Sequence, residues 1–366
     1  MNDLQAIDPN PKSGSSAAVV VGDLPLVHTE QLFAPASLAS ADAAVEDLFR
    51  RMSDLLETAG TSLQRVVRWH FYVANDAVVA AVQSRLLAAY PDDYRPAATY
   101  VAGKLAERDG LIGADCVAAQ TETKGNAAVV RLAGAAVLPP TYKLYISGDA
   151  RPGELEIAAR GTLEGLENSL KFAGLDWSHV VQLKTFLQPI DAAEQVRRAI
   201  RNYLGERPLP VLSFVEWKSA GVPLEIELVA AARPATDEAP ETVVFQTPTG
   251  MTSSPVFSRS ARVNSRRTIY TSGLYGEGAT DGEERVRAIL RSLGEIGSQT
   301  NSDLRHLVKA TYYCSSDESS LLLNKIRPEF YDPKRPPAAS KAIVAGVGRP
   351  DRDLTVDMIL VPKPAE

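Results

Sequence analysis

The chain has 366 residues, 45% hydrophobic and 23% charged, with a formal net charge of −6. That length predicts two or three domains, and the apolar fraction excludes a globally disordered chain. No apolar run approaches the roughly 20 residues of a membrane helix, and no Lys/Arg cluster supplies the field of a nucleic-acid binder, so neither is an expected partner.

The opening MNDLQAIDPNPKSGSS has no apolar signal core and reads as a disordered lead-in over residues 1–14. A hairpin is expected next, over Val19–Thr29 with a turn at Gly22-Asp23. An amphipathic helix follows, with Val45, Leu48, Phe49, Met52, Leu55, Leu56 and Ala59 at helical spacing, and Gly60 ends it. The run Arg65–Val73 is β-branched and aromatic, hence a strand. A second helix begins near Asp76, read as its N-cap, and two strands follow Pro96.

This succession recurs. Val67, Val181 and Val308 lie in like segments separated by 114 and 127 positions, and Pro96, Pro210 and Pro337 keep both offsets. Gly174 and Asn301 stand where Gly60 stands, and Asp191 and Asp317 where Asp76 does. The last strands carry Asp115, Glu227 and Asp357. Each unit reads β-β-α-β-α-β-β, an α+β layer fold with two helices on one sheet face. Units are expected over 15–122, 123–237 and 238–366, with linkers near 120–127 and 233–243. The shared strand is apolar on both faces, so the uncovered faces are expected to pack together as an intramolecular pseudo-trimer, sheets inside and helices outside, self-sufficient as a monomer.

Cys116 and Cys314 are far apart and form no CxxC or histidine-spaced set. They read as buried thiols of a cytoplasmic protein, with no metal and no cofactor expected. His28, His70, His179 and His306 read as surface or satisfied structural residues. Gly273–Gly278 lacks the Lys-Ser/Thr of a phosphate loop.

The unit resembles the RidA/YjgF (endoribonuclease L-PSP) family. The resemblance is carried by Ala59–Arg68, Tyr145-Ile-Ser-Gly148, Ala173–Val181, Leu224–Leu228, Tyr270-Thr-Ser-Gly273, Leu323-Asn324 and Arg335–Ala338, and covers nearly the whole chain after residue 15 as three copies. It implies ligand clefts between units and cofactor-free hydrolysis of reactive enamines or imines to keto acids. It also implies an arginine directly after Pro-Ala to hold the substrate carboxylate bidentately. Here that place holds Ala98, Leu212 and Ala339; loss of such a pair costs about 2–5 kcal/mol of binding.

The remaining site positions follow from the resemblance. The candidate catalytic acids are Glu227, Asp357 and Asp115. The candidate ligand-binding residues are Ser147, Gly148, Ser272, Gly273, Phe257, Asn324 and Lys341, the last a substitute cation two residues after Ala339. Thr29-Glu30 takes the Ser-Gly place in the first unit. Ser-Gly and Glu227 speak for a hydrolase of a small imine, enamine or enol acid, with a chorismatase-like enol-ether substrate as a subsidiary. The missing arginines speak for a non-catalytic metabolite-binding or assembly protein. The ribonuclease activity in the family's name fits poorly with the acidic charge.

Overall fold

The computed structural model describes residues 3–121, 128–219, 221–232 and 242–364. The expected linkers fall largely outside them. In chain order the first strands are β1 (Leu4–Pro9), β2 (Ser16–Val21), β3 (Leu26–Thr29) and β4 (Leu32–Phe33). Then come α1 (Ala41–Thr58), β5 (Val66–Val73), α2 (Asp76–Ala89), β6 (Ala97–Ala102) and β7 (Ile112–Ala119). The middle third holds β8 (Val130–Leu132), β9 (Ala135–Leu138), β10 (Tyr142–Asp149), α3 (Leu155–Phe172), β11 (Val180–Leu187), α4 (Ala193–Leu204), β12 (Val211–Glu216) and β13 (Leu224–Ala232). The last third holds β14 (Val243–Gln246), β15 (Ser260–Val263), β16 (Thr268–Thr271), α5 (Gly282–Gln299), β17 (Leu307–Cys314), α6 (Asp317–Ile326), β18 (Ala338–Ile343) and β19 (Leu354–Leu360).

Three sheets share one strand order: β6-β5-β7-β3-β9-β8, β12-β11-β13-β10-β15-β14 and β18-β17-β19-β16-β2-β1. The chain is therefore three tandem α+β units. In each, a fully buried central strand (β5, β11, β17) runs parallel to its crossover partner and antiparallel to the last strand. A helix pair covers one face with its own core, such as Leu48, Phe49, Met52, Val78, Val82 and Leu86 against Trp69 and Phe71. The opposite faces of all three sheets meet in a further core containing Val67, Val181 and Val308 together with Tyr145, Tyr270, Val117 and Ile359. The repeat-related valines of the sequence thus meet at the centre, as the two-faced apolar pattern of their strands requires.

Helix ends follow the local chemistry. Gly60, Gly174 and Asn301 have φ of 75°, 71° and 54°, the left-handed turn that these residue types tolerate. The second-helix caps lie one residue earlier than expected in two units: Asn75 and Ser316 accept the capping hydrogen bonds, and Asp76 and Asp317 sit in the first turn. In the middle unit Asp191 lies in a short 3₁₀ turn before α4.

Two expectations are corrected. The lead-in is not disordered: β1 pairs with β2, Leu4 to Val21 through Pro9 to Ser16. Nor do the hairpins stay within their own units. β2 leaves β3 and pairs with β16, in register from Thr268–Val21 to Thr271–Ala18. Likewise β9 pairs with β3 and β15 with β10. Each leading hairpin completes the preceding sheet, and the first hairpin closes the third, so the structural units do not coincide with 15–122, 123–237 and 238–366. The physical reason lies in the links. Gly22-Asp23-Leu24-Pro25 and Pro139-Pro140-Thr141 carry prolines that cannot donate to a hairpin ladder, and Leu24 is buried in the shared core instead.

Candidate functional site: three interunit clefts around a charged centre

Strand register fixes which residues are equivalent. His28, Tyr145 and Tyr270 face Val117, Val229 and Ile359, each two residues beyond the final-strand acid. Ser147 and Ser272 therefore correspond to Glu30, not to Thr29. The Ser-Gly place in the first unit is Glu30-Gln31, a one-residue correction that alternation along a strand makes decisive.

Asp115, Glu227 and Asp357 come together at the centre, not in the clefts. Asp115 lies opposite His70, Glu227 opposite Lys184 and Asp357 opposite Thr311. His70 Nδ1 is 2.8 Å from Asp115 Oδ1, and its Nε2 is 2.5 Å from Asp357 Oδ2. Arg68 reaches Asp357 at 3.0 Å, Lys309 reaches Glu227 at 2.5 Å, and Tyr72 donates to Asp115 at 2.6 Å. All these groups are buried. Burial alone would raise the three acids. For Asp357, Arg68 and His70 outweigh it; for Asp115, His70 and Lys184 do; for Glu227, Lys309 and Lys184 do, so each carboxyl lies below its ordinary range. Acids committed in this way hold the units together, and the arrangement offers no free proton acceptor. His28 and His70 are buried and bonded, while His179 and His306 bond to Asp176 and Asp303 in short capping turns.

The three clefts differ. Between the first and second units, Gln31 bonds both backbone groups of Phe214, at 3.0 and 2.9 Å, and Glu30 pairs with Arg197 at 2.5 Å. These contacts fill the cleft. Between the second and third units, Ser147 Oγ accepts from Ala339 N at 2.8 Å and donates to the Ser258 carbonyl; Gly148 N donates to Ser340 Oγ at 3.1 Å. Asn324 Oδ1 accepts from Lys341 at 3.2 Å and from Arg327 at 2.8 Å, and Arg259 stacks on Phe257 at 5.6 Å. Lys341 is half-buried, and burial with the Arg327 charge pulls its ammonium down.

The same cleft holds a residue that the sequence reading passed over. Glu225 lies two positions before Glu227 on the same strand face. A β-carbon at position 148 would stand 1.9 Å from its Oε1, so only glycine admits the carboxylate there. Burial, then the Glu227 charge, push Glu225 up to about 7, with Lys309 acting against them. The signal was present in the Glu-Ile-Glu alternation, but nothing in it says which of the two acids reaches the cleft.

Glu225 also gives a pH prediction. Its carboxyl titrates higher in the folded chain than in the unfolded one. Its contribution is therefore full below the unfolded value and is lost as pH rises toward about 7. Glu225→Gln is expected to stabilise the protein by about 2–3 kcal/mol at pH 8 and to change little at pH 4. Urea midpoints at the two pH values check this; equal gains at both would contradict the burial argument.

Between the third and first units lies an open cavity of about 350 Å³. Ser272-Gly273, Tyr275, Ala98, Tyr100 and Arg349 line it, with Ser13, Ser15 and Ser16 from the N-terminal segment. Ser272 Oγ accepts from Ala98 N at 2.8 Å and donates to the Ser16 carbonyl at 2.5 Å. Arg349 stacks on Tyr275 at 5.1 Å and pairs with two carboxylates, Asp351 at 3.2 Å and Glu277, which also lines the cavity. The buried Tyr100 hydroxyl has no hydrogen-bond partner among the described residues. Tyr100 stands two residues after Ala98, the place of Lys341 in the neighbouring cleft. None of the three central acids lines this cavity.

No family model matches the sequence, and no curated protein matches it. Solved structures do show similarity. A YjgF-family protein from Neisseria meningitidis is 19% identical, covering 34% of this chain and 97% of its own, at a TM-score of 0.26. E. coli TdcF with bound serine is 20% identical, covering 28% of this chain and 84% of its own, at 0.23. A chorismatase is 10% identical over 81% of this chain and 93% of its own, at 0.29. These are likenesses of fold, and they carry no argument about chemistry. The chain is a three-unit α+β protein whose units resemble the RidA/YjgF proteins. No helix among the described residues is long and apolar enough to cross a membrane.

Proposed function

We propose that the protein binds a small carboxylate-bearing metabolite, of the keto-, imino- or enol-acid class, in the cleft between its third and first units. The observation that supports this reading is the 350 Å³ cavity, which brings Arg349, Tyr100 and the Ser272-Gly273 turn together in one wall. A guanidinium suits a carboxylate, and here it comes from a different segment than the one occupied by Ala98. Thermal shift and calorimetric titration with 2-oxobutanoate test the reading. Arg349→Ala is expected to weaken binding about 10- to 100-fold, the worth of a charge-assisted hydrogen bond. An unchanged affinity in that variant overturns the assignment of the anchor, and no binding of any keto acid overturns the reading.

A second reading is supported by Glu225. A carboxyl that titrates near neutrality, beside Ser147-Gly148 and Lys341, suits general acid–base work on an imine, enamine or enol ether in the cleft between the second and third units. Coupled assay of 2-iminobutanoate hydrolysis decides it. Turnover abolished by Glu225→Gln but kept by Arg349→Ala places the chemistry there; no turnover leaves a binding protein.

A further inference from the structure

The Arg349 guanidinium already holds carboxylates of its own chain. Its Nε and one terminal nitrogen donate to Asp351, at 3.3 and 3.2 Å, and its other terminal nitrogen pairs with Glu277. Asp351 lies two residues along the same turn between β18 and β19. Glu277 comes from a different segment, the link between β16 and α5, and it lines the cavity beside Arg349. The link thus offers to the guanidinium the same group that a carboxylate ligand would bring.

The build of the link leaves Glu277 room to exchange. On one side, Tyr275 donates to the Val347 carbonyl at 2.9 Å and ties the link to the opposite turn. Glu277 itself stands between Gly276 and Gly278, whose φ values are 68° and 77°. A β-carbon on Gly276 would stand 2.4 Å from the Arg285 carbonyl oxygen, so the chain is held close to α5 there, whereas nothing lies within 4 Å of that place on Gly278. The Glu277 side chain is 67% exposed. A second cation is also at hand. Arg352 bonds Asp351 at 2.5 Å and stands 3.4 Å from the other Glu277 oxygen, so Glu277 keeps a partner once Arg349 is taken.

We propose that Glu277 is an internal competitor for the Arg349 guanidinium: without ligand it closes on Arg349, and a ligand carboxylate displaces it toward Arg352. The inference rests on the reading of this cleft as a carboxylate site. Exchange of one carboxylate for another keeps the guanidinium paired, and the strength of the Glu277 contact sets the affinity that a ligand must exceed.

Calorimetric titration of the full chain with 2-oxobutanoate tests this. Glu277→Gln is expected to bind about 2- to 5-fold tighter, the release of one exposed ion pair. Asp8→Asn is the control. Asp8 is exposed and lines the same cavity but stands outside the Arg349 ion pairs, so its loss removes the same charge without freeing the guanidinium. Its gain is expected to fall short of the gain in Glu277→Gln. A crystal structure of the complex is expected to place the ligand carboxylate on Arg349 and Glu277 on Arg352 alone. Equal gains in the two variants, no gain in Glu277→Gln, or a ligand in this cleft with Glu277 still on Arg349 overturns the competitor and leaves the carboxylate reading standing. Absence of binding in both the unaltered chain and Glu277→Gln overturns the reading, and the competitor with it.

Discussion

Removal of residues 1–21 is expected to abolish folding of the chain. The segment supplies two strands of the third sheet, and Ile7, Val19, Val20 and Val21 are buried in two different cores. Losing four such side chains forfeits on the order of 6–12 kcal/mol. That equals much of the 5–15 kcal/mol net stability of an ordinary protein. It also bares β16, whose ladder to β2 runs over four residue pairs, and an open strand edge invites pairing with another chain. Size-exclusion chromatography and circular dichroism of the truncated chain check the outcome. A truncated chain with the full chain's elution volume and thermal midpoint would show that the hairpin is dispensable. The contrast with a disordered lead-in, which could be removed without cost, makes the experiment sharp.

Arg68→Met is expected to destabilise the protein by about 3–5 kcal/mol at pH 7, because it leaves the buried Asp357 carboxylate without its guanidinium. The double variant Arg68→Met/Asp357→Asn is expected to recover part of that loss, since a neutral pair of similar volume carries no uncompensated charge. The pH dependence has a definite sign. Asp357 is held below its ordinary range in the folded chain. Its contribution is therefore complete above the unfolded carboxylate value and is lost as pH falls through the folded one. Arg68→Met lifts the folded value, so the variant's deficit shrinks toward acid. Chemical denaturation at pH 7 and pH 3 checks both statements; a deficit constant over that range would mean that Arg68 acts through packing on Tyr270, which it overlies at 4.9 Å.

Much of the architecture was legible in the linear pattern. The two conserved offsets between Val67, Val181 and Val308 and between Pro96, Pro210 and Pro337 announced three like units. The apolar alternation on both faces of β5, β11 and β17 announced that the sheets needed each other. Gly60, Gly174 and Asn301 marked helix ends because only certain residue types tolerate a positive φ. The final-strand acids were also found as a set, and they do stand at equivalent places. Their surroundings were not legible. Arg68, Gln182 and Lys309 each follow a repeat valine and so share one repeat position, but only packing of three sheets brings Arg68 against Asp357, Gln182 against His28 and Lys309 against Glu227.

The clefts divide in the same way. Ser147-Gly148 and Ser272-Gly273 could be read from local likeness, whereas Arg349 and Tyr100 reach one cavity from different units. The step from Thr29-Glu30 to Glu30-Gln31 needed the ladder to β7, because a one-residue slip leaves the composition of the segment unchanged and reverses which side chains face inward.

The number of units, their element types, and the burial of one face of every helix were legible in the linear pattern, since these depend on periodicity, caps and turn residues within short windows. Which sheet each leading hairpin joins was settled by three-dimensional packing. The same strand can satisfy the same backbone hydrogen bonds on either of two edges, and closure of the three-sheet core selects between them. It likewise decided that the acids serve the centre while the cavity opens elsewhere, because burial and charge pairing across units are properties of the assembled molecule.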